Sequence, residues 1–97
     1  MGQSARPRPK RLAIKLRQIR LLLDLTQEQL AHAVSHIESP PKPGHVSEFE
    51  SGRREPSLLF LLAISRLSGI PMEMLVDDEE DLPNKLHPTR KPTRKKT

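Results

Sequence analysis

Leucine and isoleucine recur at helical spacing along most of this chain. Leu12, Leu16, Ile19 and Leu23 fall at i, i+4, i+7 and i+11, on one face of a helix. Lys15, Arg17 and Gln18 are assigned to the other faces. The pattern predicts a first helix over 10–23. Thr26 then offers an N-cap, and Gln29 three residues later completes a capping box. Leu30, Val34 and Ile37 continue at helical spacing, so a second helix starts near Gln27 and ends at Val34 or Ile37. Pro40, Pro41 and Pro43 cannot share a helix interior, because proline lacks the N–H and constrains its predecessor. Residues 38–44 therefore form a loop, with Pro43 allowed in the first turn of the next helix. A third helix is expected over 45–51, with Val46 and Phe49 inward and Gly52 as its stop. Ser57 caps a fourth helix that ends at Ser68 before Gly69. Pro71 opens a short fifth helix to Val76.

These elements imply an all-α fold, a compact five-helix domain over 10–76. Residues 1–9, with Pro7 and Pro9 among basic and small residues, read as a flexible basic arm. Residues 77–97 read as an acidic and then basic disordered tail. It contains a direct repeat, Pro88-Thr89-Arg90-Lys91 and Pro92-Thr93-Arg94-Lys95. A chain of 97 residues is one domain by size.

Charge sharpens this division. The net charge is +5, yet residues 12–84 hold seven basic and twelve acidic side chains. The surplus cations are Arg6, Arg8, Lys10 and Arg11 at one end and six Lys and Arg in 85–97 at the other. Such ends either aid solubility or bind phosphate or a minor groove. The acidic run Asp77–Asp81 either caps the end of the domain or shields the basic tail.

There is no cysteine, which removes disulfides and thiolate zinc sites. No apolar run is long enough for a membrane span, and the basic N-terminus lacks the apolar stretch of a secretory signal. A soluble cytoplasmic, nucleoid-associated protein is expected. His32 and His36 lie one turn apart with no third ligand set by spacing, so they read as solvated histidines rather than a metal site. No phosphate-binding glycine loop, nucleophile elbow or triad is present. Neither an enzyme nor a cofactor is expected.

Three segments, taken in order, carry a family resemblance. Thr26-Gln27-Glu28-Gln29-Leu30-Ala31, Val46 to Ser57 (VSEFESGRREPS) and Gly69-Ile70-Pro71-Met72-Glu73-Met74-Leu75 together resemble lambda-repressor-like helix-turn-helix domains of the Cro and XRE type. The resemblance covers about residues 10–76. It implies a DNA-binding transcriptional regulator, with double-stranded DNA as partner and helix 3 in the major groove. It also implies that Ala31 is small so that helix 3 can cross close to helix 2. Arg20 and Glu50 are implied to pair as a structural ion pair; the alternative is two unrelated surface charges.

By the same resemblance, Thr26 and Gln27 at the start of helix 2 approach a phosphate, unless Gln27 is only a helix-start residue. Gly44, His45, Ser47 and Glu48 face base edges, with Lys42 just before them. Glu48 could accept from a cytosine amino group or merely repel phosphate. Arg53 and Arg54 suit phosphates, or Arg54 pairs with Glu55.

Two departures from the family pattern matter. The segment from Ala31 to Val46 is about five residues longer than usual, through the Pro-rich stretch 36–44. That stretch could reach DNA through Lys42 or touch a partner. In helix 4, Leu58, Leu61, Leu62 and Ser65 match the family's inward face, while Leu59, Phe60, Ala63 and Leu67 form a second apolar stripe. This stripe is expected to be a homodimer contact, or to be covered by a fold-back of 77–86. A protein-interaction module, such as an antitoxin or accessory subunit using the helix 4 surface, is the alternative function.

Overall fold

In the computed structural model, which describes residues 9–83, five helices follow one another in order: α1 (Leu12–Leu22), α2 (Gln27–Ala33), α3 (Pro43–Ser51), α4 (Leu58–Ser68) and α5 (Met72–Val76). There is no strand among the described residues. Helix α3 packs on α1 and α2, and α5 packs on α1 and α4.

Local chemistry fixes the ends of these elements. Thr26 and Gln29 form the expected reciprocal capping box: the Gln29 N–H donates to Thr26 Oγ1 at 3.0 Å, and the Thr26 N–H donates to Gln29 Oε1 at 2.8 Å. Ser57 Oγ accepts from the Phe60 N–H at 3.1 Å. Gly52 and Gly69 end α3 and α4 in the left-handed region, at φ of 82° and 78°. Pro43 occupies the first turn of α3, which begins two residues before the expected 45.

The core is aliphatic around a single aromatic pair. Leu12, Leu16 and Ile19 from α1 meet Leu30, Ala31, Val34, Val46 and Phe49 on one side. Phe60, Leu61, Ala63, Ile64, Ile70 and Leu75 close the other side. The Phe49 and Phe60 rings lie 4.8 Å apart at 53°, a tilted packing that the ring quadrupoles favour. Ser68 is buried, but its hydroxyl donates to the Ile64 carbonyl and accepts from the Ile70 N–H.

Helix α4 is turned relative to expectation. Phe60 and Ala63, assigned to an external stripe, are 2% and 6% exposed and belong to the monomer core. Leu58, expected inward, is 74% exposed. The aromatic pair sets this rotation, because Phe60 reaches Phe49 only with this face inward. Leu59 and Leu67 do remain at the surface, where they line a groove.

A second correction concerns Lys15 and the acidic run. Lys15 is fully buried, and its Nζ donates to the Met74 and Asp77 carbonyls at 2.6 and 2.7 Å. It thus satisfies the C-terminal end of α5, where unpaired carbonyls favour a cation. The Asp78 carboxylate accepts the backbone N–H groups of Lys10 and Arg11, both at 2.9 Å. It caps α1 from the far end of the domain, in place of the local side-chain cap that α1 lacks. Arg11 donates to the Asp78 carbonyl and pairs with Asp81 at 2.6 Å. Residues 77–81 are therefore docked on the first helix rather than outside the folded unit. The basic segments 1–8 and 84–97 lie outside the described residues.

Two outcomes follow from this end-to-end clasp. Lys15→Met keeps most of the volume and removes both bonds, so urea or thermal unfolding should report a loss of about 1–3 kcal/mol. The backbone N–H groups of Lys10 and Arg11 hold the Asp78 carboxyl below its ordinary 3.8. A depressed carboxyl contributes stability above its unfolded pKa and loses it as pH falls through the folded value. Stability measured from neutrality into acid should fall more steeply for the natural chain than for Asp78→Asn.

Candidate nucleic-acid interface

The candidate interface is the outer side of α3 together with the start of α2. Its foundation is an ion pair beneath it. Arg20 Nε meets Glu50 Oε2 at 2.6 Å, and Arg20 Nη2 meets Oε1 at 3.0 Å. The two side chains are only 12% and 5% exposed. The planar guanidinium suits this two-bond geometry. Its remaining Nη1 donates to the Leu25 carbonyl at 2.8 Å, tying the α1–α2 turn into the same cluster. Gln27 adds its amide, which donates to Glu50 Oε1 at 3.3 Å. The charges of Arg20 and Glu50 therefore join α1, α3 and the start of α2.

Gln27 is engaged with Glu50 through one N–H of its amide, and the second N–H is not used by that bond. Thr26 is exposed, with its hydroxyl committed to the capping box.

On α3 itself, Lys42, Gly44, Ser47 and Ser51 are exposed, and His45 and Glu48 are half-buried. A Cβ at Gly44 would meet nothing within 4 Å. Gly44 is thus not demanded by packing, and the helix surface there is open. His45 leans toward the Phe49 ring, with centroids 6.4 Å apart. Arg53 and Arg54 are exposed just past the Gly52 stop. At helical spacing Gly44, Ser47, Glu48 and Ser51 share the outer face of α3, while His45 lies at its edge toward Phe49.

Glu48 is not a free carboxylate. Arg54 Nε binds its Oε1 at 2.6 Å. This hydrogen bond, with smaller help from the charges of Arg54, His45 and Arg53, holds the Glu48 carboxyl below its ordinary value. Arg54 thus pairs with Glu48, across the turn at Gly52. Chain reversal at a left-handed glycine brings residues 48 and 54 together, and helical spacing alone does not reveal it. Arg53 has no salt bridge among the described residues.

Residues 34–42 separate α2 from α3. The chain turns through Val34–Ile37, and Ser39 then adopts a left-handed φ of 57°. Ile37, Leu59, Leu62 and Leu67, with Glu38 and Arg66, line a groove of about 480 Å³ between this segment and α4. Among the described residues no group of three or more histidines or acids is arranged to hold a metal, and no helix is long and apolar enough to cross a membrane.

A short helix locked by a capping box, followed by an exposed helix braced from below, defines a helix-turn-helix domain. The family model described as helix-turn-helix matches residues 16–75, well over half of the chain. The protein belongs to this family, of the lambda-repressor-like type, whose domains are DNA-binding and regulatory. No curated protein and no solved structure matches the chain significantly.

The buried pair makes a sharp prediction. Arg20→Ala or Glu50→Ala leaves one charge buried without its partner, so each should cost roughly 3–5 kcal/mol in denaturant unfolding. Replacing both with apolar residues of similar volume should cost clearly less than the sum of the single changes.

Proposed function

We propose that the protein is a sequence-specific DNA-binding transcriptional regulator that inserts α3 into the major groove. The observation that carries this reading is the open outer side of α3, held by the Arg20–Glu50 brace and flanked by Lys42, Arg53 and Arg54. A groove-reading helix must be exposed yet rigid, and this arrangement meets both demands. Ser47 lies exposed on that side and can donate or accept at a base edge; His45, half-buried beside Phe49, offers a ring N–H. Glu48, held by Arg54, is oriented rather than free, so it acts as an acceptor toward a cytosine amino group. Arg53, the Nη groups of Arg54, Lys42, Thr26 and the backbone N–H groups at the start of α2 take phosphates. The domain lacks a net positive charge of its own between residues 12 and 84. Phosphate affinity therefore draws on the basic segments 1–8 and 84–97.

The second reading, a protein-interaction module, is favoured by the groove beside α4. Leu59 and Leu67 line it together with Ile37 from the extended turn. A small apolar partner segment seated there need not cover α3, so the two readings are compatible.

The test is binding of the full chain to duplex DNA across a salt series. Arg53→Ala and Arg54→Ala should each weaken binding and reduce the slope of log affinity against log salt by roughly one per lost phosphate contact. Arg54→Ala should in addition change sequence preference, because it frees Glu48. An unchanged slope in both variants contradicts the assignment.

A further inference from the structure

The clasp between the two ends of the domain uses its cations differently. Arg11 is consumed by it: the guanidinium donates to the Asp78 carbonyl at 2.8 Å and pairs with Asp81 at 2.6 Å. Lys10 enters the clasp through its backbone, whose N–H donates to Asp78 Oδ2 at 2.9 Å. The residue is exposed, and its ammonium forms no salt bridge among the described residues. Lys10 stands beside the turn that follows α3. With Pro9 it lines a cleft of about 280 Å³ whose other wall holds Gly52, Arg54 and Glu55. That turn lies against the first turn of α1: a Cβ built on Gly52 would sit 3.9 Å from the Ala13 Cβ.

We propose that Lys10 is a further phosphate contact of the DNA-binding surface, and that Asp78 is the residue that positions it. The proposal rests on the reading of α3 as the DNA-facing helix. Arg54 gives its Nε to Glu48, which leaves its Nη groups for a phosphate oxygen. Lys10 brings three more N–H donors to the same cleft from the other wall. Glu55 lines the cleft too, so two cations stand there against one carboxylate. A DNA backbone phosphate that meets the turn at Arg53 and Arg54 therefore meets Lys10 as well.

Asp78 matters because the first helix has no side-chain cap of its own. Both Asp78 oxygens are taken, one by the Lys10 N–H and one by the Arg11 N–H. These bonds fix the backbone where the chain enters α1. A lysine stem is long and flexible, and anchoring its Cα reduces the ordering that a phosphate contact demands. Asp78 thus acts on DNA in two opposed ways. Its charge repels phosphate, while its hydrogen bonds place a cation that attracts it.

The test is binding of the full chain to random-sequence duplex DNA across a salt series. Lys10→Gln should lower the slope of log affinity against log salt by roughly one, so the affinity lost between about 50 and 200 mM salt shrinks about fourfold. Lys10→Arg should restore the slope. Circular dichroism and Tm of both variants should match the natural chain, because the side chain is exposed and the backbone bond to Asp78 is kept. Asp78→Ala, studied well below its Tm, should weaken binding despite losing a negative charge. Glu79→Ala removes the same charge from the same run without touching α1, and should not weaken it. In a Lys10→Gln background, Asp78→Ala should no longer weaken binding. If the natural chain binds and Arg53→Ala lowers the slope while Lys10→Gln does not, the proposal falls and the DNA reading stands. Equal weakening by Asp78→Ala in both backgrounds overturns the positioning role. No binding by the natural chain at any salt overturns the DNA reading and this proposal with it.

Discussion

The Arg20–Glu50 pair is the constraint on which the presented surface depends. A recognition helix has two conflicting needs. Its outer side must stay polar and exposed, so it cannot be anchored by burying itself. Helix α3 spends only Val46 and Phe49 on the core. The remaining hold comes from Glu50, gripped by two nitrogens of Arg20 and touched by Gln27. Because Arg20 also binds the Leu25 carbonyl, the turn that starts α2 is tied to α3 through the same side chain. Buried pairs of this kind add little net stability against an apolar alternative, but they are strict about geometry. The proposed groove-reading role of α3 needs that strictness.

A second brace closes the domain. Lys15 satisfies the end of α5, and Asp78 caps α1, so each helix end is completed by a residue some 60 positions away. This places the beginning and end of the folded unit side by side. The acidic run, which reads as part of a tail, supplies acceptors to the N–H groups of the first helix. The docked run also brings Leu82 and Pro83 to the outer side of α1, beside Leu21 and Leu22. For a domain of this size with an aliphatic core, such polar closure offsets a limited apolar burial.

Helix number, the capping box and both glycine stops were legible from spacing and turn chemistry alone. The family pattern also implied the Arg20–Glu50 pair, which the structure contains. The other long-range polar contacts were not legible, because nothing local marks them. Lys15 is instructive: it sits at i+3 from Leu12 and one before Leu16, on the buried stripe, and its charge masked that position. The rotation of α4 was missed for a different reason. That helix is apolar nearly all round, so periodicity cannot choose its inward face; the meeting of Phe49 and Phe60 does. The bond between Glu48 and Arg54 required the reversal at Gly52, which spacing along a helix cannot express.

The central claim is that α3, braced from beneath, is the surface that meets DNA. Backbone amide spectra of the labelled full chain, titrated with a duplex at low salt, test it residue by residue. The account predicts shifts concentrated at residues 42–48, at 53 and 54, and at the start of α2, with the α4 groove and the outer side of α1 little changed. Shifts centred on Ile37, Leu59 and Leu67 that leave α3 unmoved, or no shifts at any residue between 9 and 83, would contradict it.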